Sequence, residues 1–149
     1  MAKKYKAPTF VRMANVLTST LLRAGVRLNG TGNYPMYLLT VRGRKSGQPR
    51  TVPIAIWEHN SKRYVGSVYG IVDWVRNLRA AGEATLTRGG RAETVNVREL
   101  PGKDAALVLR QDVLAGNPFA RNYGVSASSS LEEFEQAVLT HPVFLFESK

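Results

Sequence analysis

A basic loop that contains glycine and lies between two apolar segments is the part of this sequence most suited to chemistry. Within "VRGRKSGQPRTVPIAIW", residues 41–57, it offers Arg44, Lys45, Ser46, Gly47 and Arg50. Glycine lets successive backbone N–H groups converge on an anion, Arg binds phosphate through two parallel hydrogen bonds, and Lys adds a point charge. The loop therefore predicts binding of a phosphate or carboxylate, with a solvated basic turn as the alternative. It is not a Walker A loop, because no Gly-Lys-Ser/Thr opens a helix.

Few other residues can act as a catalytic base, nucleophile or metal ligand. The chain has no cysteine, which excludes disulfides, thiolate metal sites and cysteine nucleophiles. His59 lies in a predicted turn and His141 precedes Pro142, so we expect both histidines to be structural. Two isolated histidines predict no metal site.

Hydrophobic periodicity predicts the elements that position the loop. The predicted strands cover residues 36–41, 50–57, 63–68, 83–87, 92–100 and 142–148. The predicted helices cover residues 9–28, a short segment that Asp73 would cap, and residues 102–116 and 130–141. Gly89 and Gly90 predict a hairpin turn, because glycine tolerates positive φ. About six mostly antiparallel strands with flanking helices predict an α+β, mainly β fold: a small barrel covered by helices.

The first third of the chain differs from the rest in charge. Residues 1–50 hold ten of the 21 Lys and Arg residues and none of the 11 Asp and Glu residues, so this segment carries the whole net charge of +10. Residues 1–8 predict a mobile basic arm, and residues 9–28 predict an amphipathic helix with a cationic side. We interpret this helix as packed on the core over the substrate side, with docking on an anionic membrane as the alternative.

Composition limits the class of protein. At 149 residues with 44% hydrophobic residues, the chain predicts a single domain over residues 1–149. No apolar segment approaches the roughly 20 residues of a membrane span, so we expect a cytoplasmic protein. The basic loop lacks interleaved aromatic residues and the chain contains no nucleic-acid motif, so we predict no nucleic-acid partner. A small polyanion and a membrane surface are the partners that this charge favours.

The ordered set of motifs resembles the deazaflavin-dependent nitroreductase family, oxidoreductases that use coenzyme F420. The resemblance covers roughly residues 36–100, and it is carried by Gly-Arg-Lys-Ser-Gly at 43–47, Arg50, Pro53, Trp74 and Asn-Leu at 77 and 78. It implies a split β-barrel. It also implies a coenzyme that is a small polyanion, a deazaflavin with a phosphodiester and an oligoglutamate tail.

The resemblance further implies which residues hold the coenzyme. The basic loop would bind the phosphate, one strand and a second segment would line the deazaflavin ring, and the short helix would close the pocket. For the phosphate these residues are Arg44, Lys45, Ser46, Gly47, Gln48 and Arg50. For the ring they are Thr51, Val52, Pro53, Ile54, Ala55, Gly66, Ser67, Val68 and Tyr69, and for the closing helix Asp73, Trp74 and Asn77. The glutamates would be within reach of Arg42 and of Lys3, Lys4 or Lys6.

The implied reaction is direct hydride transfer, for which the protein holds donor and acceptor about 3 to 3.5 Å apart and excludes water. The proton for the product would come from solvent or from Ser67, Tyr69 or Tyr123, the three weak catalytic candidates. Val75 and Phe134 stand where family members place Tyr, and Tyr69 where a Lys occurs. These differences favour reduction of an activated C=C, as in an enone, quinone or unsaturated lactone, with nitro compounds as secondary acceptors.

Two alternatives stay open at the level of sequence. One is an FMN-dependent oxidoreductase of the same barrel class, and the other is a non-catalytic protein that carries the coenzyme or binds lipid. The expected partner of the enzyme is a small-molecule electron acceptor. Fold analogy leaves monomer and homodimer equally open, and peripheral contact with an anionic membrane would use residues 9–28.

Overall fold

Seven antiparallel strands form one sheet. The computed structural model describes residues 34–117 and 119–149. The strands are β1 Met36–Arg42, β2 Pro49–Ala55, β3 Trp57–His59, β4 Lys62–Gly66, β5 Glu83–Arg88, β6 Arg91–Glu99 and β7 Val143–Ser148. Their order in the sheet is β2-β1-β5-β6-β7-β4-β3, so β2 and β3 are the two edges.

The two edge strands are consecutive in the chain, and this closes the sheet on itself. β2 pairs with β1 and β3 pairs with β4, while Ile56 alone separates β2 from β3. The Ile56 N–H donates to the Pro35 carbonyl at 3.0 Å. Because both edges meet at Ile56, the sheet curls into a split barrel. The single strand predicted over residues 50–57 is thereby divided, which gives seven strands where the sequence predicted about six.

The alternation of side chains fills the barrel interior. β2 shows the pattern clearly, since Ile54 is buried in the interior and Val52 packs against it. A helix, α1 (Asp73–Ala81), covers this core with Val75 and Leu78. The other buried members of the cluster are Leu39, Val41, Ile56, Val65, Ala84, Leu86, Val95, Phe144 and Phe146.

Two further helices pack on the outer side of the sheet. They are α2 (Gly102–Leu114) and α3 (Leu131–Thr140), with a 3-10 turn at Ala120–Tyr123 between them. α3 begins with a capping box in which Ser130 and Glu133 satisfy each other's backbone N–H groups. Together with β7, these helices form a second buried apolar cluster centred on Phe134. The helices α2 and α3 and the strand β7 were predicted within a few residues of their observed bounds.

Local sequence signals specify the turns, with one exception. Gly89 and Gly90 have φ values of 59° and 77°, which confirms the predicted hairpin between β5 and β6. Pro53 lies on the edge strand β2, where its missing N–H is tolerated. The prediction that Asp73 caps α1 was wrong. Val72 is the N-cap and makes no side-chain cap bond, whereas Asp73 lies in the first helical turn, where its charge complements the helix dipole.

The antiparallel register defines two ends of the barrel. The end that holds residues 43–48, the end of β4 and the start of β7 is called here the loop end. The opposite end holds the β3–β4 and β5–β6 turns and is called the hairpin end. Residues 66–69 and the start of β2 therefore lie at the same end as the basic loop, whereas β2 runs away from that end to Ala55, which pairs with Met36.

The predicted basic arm at residues 1–8 and the predicted helix at residues 9–28 lie outside the described residues, as do Lys3, Lys4 and Lys6. Among the helices that the structure does describe, none has the length and apolar character needed to cross a bilayer.

Candidate functional site

The basic loop at the loop end is a tight turn held by its own backbone. The Gly43 N–H donates to the Gln48 carbonyl at 2.8 Å, and the Gly47 N–H donates to the Gly43 carbonyl at 2.9 Å. A Cβ on Gly43 would lie 3.0 Å from Ser46 Oγ and 3.1 Å from the Gln48 carbonyl, so the turn requires glycine there. Gly47 has a φ of 72°, which also favours glycine. The loop is therefore a defined structure.

Helix α1 fastens this loop through Arg44. The Arg44 backbone N–H and one guanidinium nitrogen both donate to Asn77 Oδ1, at 3.1 and 2.8 Å. Another guanidinium nitrogen lies 3.3 Å from Asp73 Oδ1. Asn77 is only 5% exposed, so its amide oxygen is buried at the junction of loop and helix. Asp73 and Asn77, predicted to close the coenzyme pocket, thus contact the loop itself.

Some hydrogen-bond donors of the loop are not used within the described chain, and their types suit an anion. Gly43, Arg44, Gly47 and Gln48 use their backbone N–H groups within the chain, and Gln48 donates to Ser46 Oγ at 3.2 Å. Within the described residues, the consecutive N–H groups of Lys45 and Ser46 have no acceptor, and Lys45 and Arg50 form no ion pair. Two adjacent amides beside two unpaired cations suit the oxygens of a phosphodiester.

The strand predicted to line the ring is divided between two faces. Ile54 is buried in the barrel, whereas Thr51, Pro53 and Ala55 alternate onto the opposite face and stay half-buried. Thr51 shares a hydrogen bond of 2.9 Å with Thr40 on the neighbouring strand. Because alternate side chains of a strand point to opposite faces, the five predicted residues cannot present their side chains to one ligand.

The second predicted ring segment, residues 66–69, follows β4 at the same end. A Cβ on Gly66 would fall 2.5 Å from the Tyr123 hydroxyl, so Gly66 is required by that close approach. Ser67 is fully buried, and its hydroxyl donates to the Gly70 carbonyl. Its own carbonyl accepts from His141 Nδ1 at 2.8 Å. Tyr69 is 46% exposed and lies at the surface.

The three hydroxyl groups proposed as proton donors therefore lie in different environments. Burial raises the pKa of Tyr123 well above its usual value, and the nearby Asp112 raises it further. Ser67 gives its proton to a backbone carbonyl inside the segment. Tyr69 alone of the three is exposed to solvent. Val68 is half-buried against the outer apolar cluster, and Trp74 packs against the Phe144 ring with a centroid separation of 6.1 Å.

Two of the three positions at which this chain differs from the family, Val75 and Phe134, are packing positions, whereas Tyr69 lies at the surface. Val75 and Phe134 are fully buried, so each fills an apolar core. The histidines agree with the structural interpretation, since His59 stacks on Trp57 at a centroid separation of 4.6 Å and His141 holds Ser67. In the described part of the chain, no three His, Cys, Asp or Glu side chains gather to hold a metal ion.

Sequence reasoning missed a buried polar cluster beside α2. The Tyr34 hydroxyl donates to the carboxylate of Asp112, and Asn117 Nδ2 donates to the same carboxylate at 2.8 Å. Burial raises the pKa of Asp112 above its usual value. Trp57 Nε1, which borders the same small cavity, is buried without a partner among the described residues. A carboxylate three residues after Leu109, on the apolar side of a predicted helix, was the available signal.

A curled antiparallel sheet with its two edge strands consecutive in the chain and a basic loop at one end defines a protein of the split-barrel class. The family model of the F420H(2)-dependent quinone reductases matches residues 12–132. That match covers most of the chain, so the chain belongs to this family. It is an oxidoreductase, and reduced coenzyme F420 is its cofactor.

Solved structures agree with this assignment. A structure described as an F420-H2 dependent reductase (FDR-A) is 25% identical with a TM-score of 0.56, over 75% of this chain and 93% of that one. A structure described as a domain-swapped dimer is 23% identical with a TM-score of 0.55, over 93% of this chain and 97% of that one, and it supports the fold alone. No curated protein matches the chain significantly.

Proposed function

We propose that this chain transfers a hydride from reduced F420 to an activated C=C of an enone, quinone or unsaturated lactone, with nitro compounds as secondary acceptors. The observation that carries the proposal is the loop end. Two adjacent amides of the loop, with Lys45 and with Arg50 at the start of β2, have no acid partner or acceptor within the described residues, and they lie at the same end as residues 66–69. A polyanionic coenzyme is the ligand that this arrangement suits.

The proposed roles in coenzyme binding follow from the charges and hydrogen-bond donors that each residue does not use within the described chain. Lys45 and Arg50 would bind the phosphate with their side chains, together with the N–H groups of Lys45 and Ser46. Ser46 Oγ accepts a bond from Gln48, which leaves its own proton to donate. Arg42 is exposed beside the loop and would bind the glutamate tail. Gln48 and Gly47 shape the turn.

The ring is proposed to lie against half-buried residues that extend from the loop end along β2. These are Thr51, Pro53 and Ala55 on β2, Val68 after β4, and Trp74 on α1. The bound coenzyme supplies a hydride from the carbon that replaces the flavin N5. The apolar side chains around it would exclude water from the donor carbon and fix the plane of the ring, which is the protein's main contribution to such transfers.

The proton that completes the reduction is proposed to come from Tyr69 or from solvent near it. Tyr69 is exposed, whereas Ser67 would first have to break its bond to the Gly70 carbonyl, and Tyr123 is buried behind Gly66. A Tyr69→Phe variant should keep wild-type affinity for the coenzyme and turn over acceptor more slowly. Unchanged turnover would assign the proton to solvent.

The test of the function has two steps. Fluorescence titration of the protein with F420 and, separately, with FMN should show binding of the deazaflavin and little binding of FMN. Reduced F420 is then mixed with quinones, enones, unsaturated lactones and nitroaromatics, and the return of the oxidised coenzyme's visible absorbance gives each rate. Tighter binding of FMN would refute the cofactor assignment for this chain. Faster reduction of nitroaromatics than of any C=C substrate would refute the proposed acceptor class.

We propose a cytoplasmic enzyme with a small-molecule acceptor. A structural neighbour is described as a domain-swapped dimer, and light scattering during size-exclusion chromatography distinguishes a monomer of this chain from a homodimer. Flotation with anionic vesicles tests the predicted membrane contact of residues 9–28, and binding that is weakened by salt would support it.

A further inference from the structure

We propose that Arg44 is a positioning residue that fastens the basic loop to α1 through Asn77, and that it is not a phosphate ligand. Lys45 and Arg50 then supply all the side-chain charge that the loop offers to the phosphate. The family resemblance assigned Arg44 and Lys45 the same role, and the geometry separates them. The inference rests on the proposed function for the identity of the ligand.

The bonding of Arg44 carries the inference. One buried oxygen, Asn77 Oδ1, accepts both the Arg44 backbone N–H and its guanidinium, at 3.1 and 2.8 Å. The guanidinium also pairs with Asp73 at 3.3 Å, and the Arg44 side chain is only 24% exposed. Arg is strong in phosphate binding because its planar fork presents parallel donors. In Arg44 both terminal nitrogens of that fork already donate to acceptors on α1, Asn77 and Asp73.

Charge separates Arg44 from the other two cations. Asp73 accepts Arg44 and also lies 3.7 Å from Arg76, so the charge of Arg44 is partly neutralised on the spot. All three residues reach the solvent, but Lys45 and Arg50 have no acid partner within the described residues. A phosphate gains more from cations whose charge is not already compensated.

The fastening has a direct consequence for the backbone of the loop. Arg44 precedes Lys45 and Ser46, whose adjacent N–H groups have no acceptor in the described chain. Tying the Arg44 amide to Asn77 fixes the peptide plane that leads into this pair. The pair is thus held in place before any ligand arrives, and binding does not have to order it.

The experiment is a double-mutant cycle measured by binding. Arg44→Ala, Asn77→Ala and the double variant are titrated with F420 and with the same deazaflavin lacking the phosphodiester and glutamates. Each single change should weaken F420 by about tenfold, the scale of a lost hydrogen-bonded contact. The double variant should be no weaker than either single variant, because the two residues act as one unit. Affinity for the truncated deazaflavin should stay at the wild-type value.

Three further variants serve as controls. Lys45→Ala should weaken F420 independently of Arg44→Ala, so that the two losses multiply. Arg79→Ala removes a cation of α1 that pairs with Glu99 and does not contact Arg44 or its acceptors, and it should leave affinity unchanged. Asn77→Asp keeps an acceptor for Arg44 and should restore most of the affinity lost in Asn77→Ala. Thermal melting, together with binding of the truncated deazaflavin, shows that each variant is folded.

The inference is overturned if Asn77→Ala binds F420 like the wild type while Arg44→Ala does not, because Arg44 would then contact the phosphate directly. Losses that multiply between Arg44 and Asn77 would also overturn it. If Asn77→Ala fails to fold, Arg44→Lys decides: retained affinity, with the charge kept and the fork removed, would overturn the inference. A wild-type protein that binds neither deazaflavin overturns the proposed function as well, and a normal wild-type result with a failed cycle overturns only the role of Arg44.

Discussion

The two ends of the barrel use charge in opposite ways. At the hairpin end, Arg63 donates to both carboxylate oxygens of Glu93, at 2.8 and 3.1 Å, and Ser148 donates to the same carboxylate at 2.8 Å. Tyr37 donates to Glu58 at 3.0 Å. At the loop end, Lys45 and Arg50 have no acid partner in the described chain. The hairpin end thus holds a cluster of charged side chains that satisfy one another, whereas the two cations beside the basic loop have no acid partner within the described residues.

This difference separates stability from function. The bonds from Arg63 and Ser148 hold the pKa of Glu93 below its usual value. Burial and the bond to Glu58 raise the pKa of Tyr37. Both shifts report interactions that exist without a ligand, so changes at the hairpin end should affect unfolding. Changes to the free cations of the loop end should affect the coenzyme.

The largest effect should come from removing both free cations. Lys45→Ala combined with Arg50→Ala should weaken F420 binding by about 2 to 5 kcal/mol, the sum of two charge-assisted hydrogen bonds. The free energy of unfolding should change by less than about 0.5 kcal/mol, because both side chains are exposed and unpaired. Fluorescence titration and urea unfolding measure the two quantities.

The matched control removes two exposed cations from the other end. Lys62→Ala combined with Arg91→Ala takes the same charge from the hairpin end. If this control weakened F420 as much as the loop variant does, general electrostatic attraction would explain binding and the loop would have no special role.

The next effect should appear at the hairpin end. Glu93→Ala leaves Arg63, whose side chain is 19% exposed, without its carboxylate. The free energy of unfolding should fall by about 1 to 2 kcal/mol, with unchanged affinity for F420. Glu147→Ala removes the partner of Arg98, which is 58% exposed, and should cost less than about 0.5 kcal/mol. Equal losses in the two variants would show that the hairpin end has no special stabilising cluster.

The same substitution, glycine to alanine, can be made at one glycine of each end of the barrel. Gly47 and Gly90 have φ values of 72° and 77°, and a Cβ on either would meet nothing within 4 Å. Alanine at each should therefore destabilise the protein by about 1 kcal/mol through backbone strain alone. Only Gly47→Ala should also weaken F420, since it distorts the loop. A loss of affinity in Gly90→Ala would contradict the separation of the ends.

The smallest effect should be a change in how the free energy of unfolding falls at acid pH. The pKa of Glu93 is lowered in the folded state from a usual value of 4.5. Its stabilising contribution is therefore complete above that value and is lost as the pH falls through the folded pKa. Glu93→Gln should reduce stability at neutral pH and converge with the wild type at low pH. Parallel curves of unfolding free energy against pH would refute this assignment.

The sequence predicted the strands, helices and turns more successfully than the contacts between them. Gly89 and Gly90 specify a hairpin by backbone conformation alone, and apolar alternation revealed β2. The division at Ile56 was missed. Two strands separated by a single residue show the same alternation of apolar residues as one uninterrupted strand, even when they form opposite edges of the sheet. The cap assigned to Asp73 was also wrong. Its carboxylate pairs with Arg44, and the N-cap position of α1 is held by Val72.

The sequence predicted which residues form the candidate site and which family the chain belongs to, but it did not predict the hydrogen bonds within the site. The motif at residues 43–50 predicted an anion-binding loop, and the ordered motifs predicted the family that the comparisons confirm. Nothing in the pattern pairs Arg44 with Asn77, which is 33 residues later, or Tyr34 with Asp112, which is 78 residues later. These contacts depend on how the sheet closes.

The sequence alone thus determined the strands, the turns, the segregation of charge and the coenzyme class, because each depends on residues that are near neighbours or on an ordered motif. The tertiary structure decided which cations are free. Arg44, Lys45 and Arg50 are alike in charge and lie within seven consecutive residues, yet only Arg44 meets the acceptors of α1. That distinction arises from packing between distant segments, which places a buried oxygen beside one cation and leaves the other two without a partner in the described part of the chain.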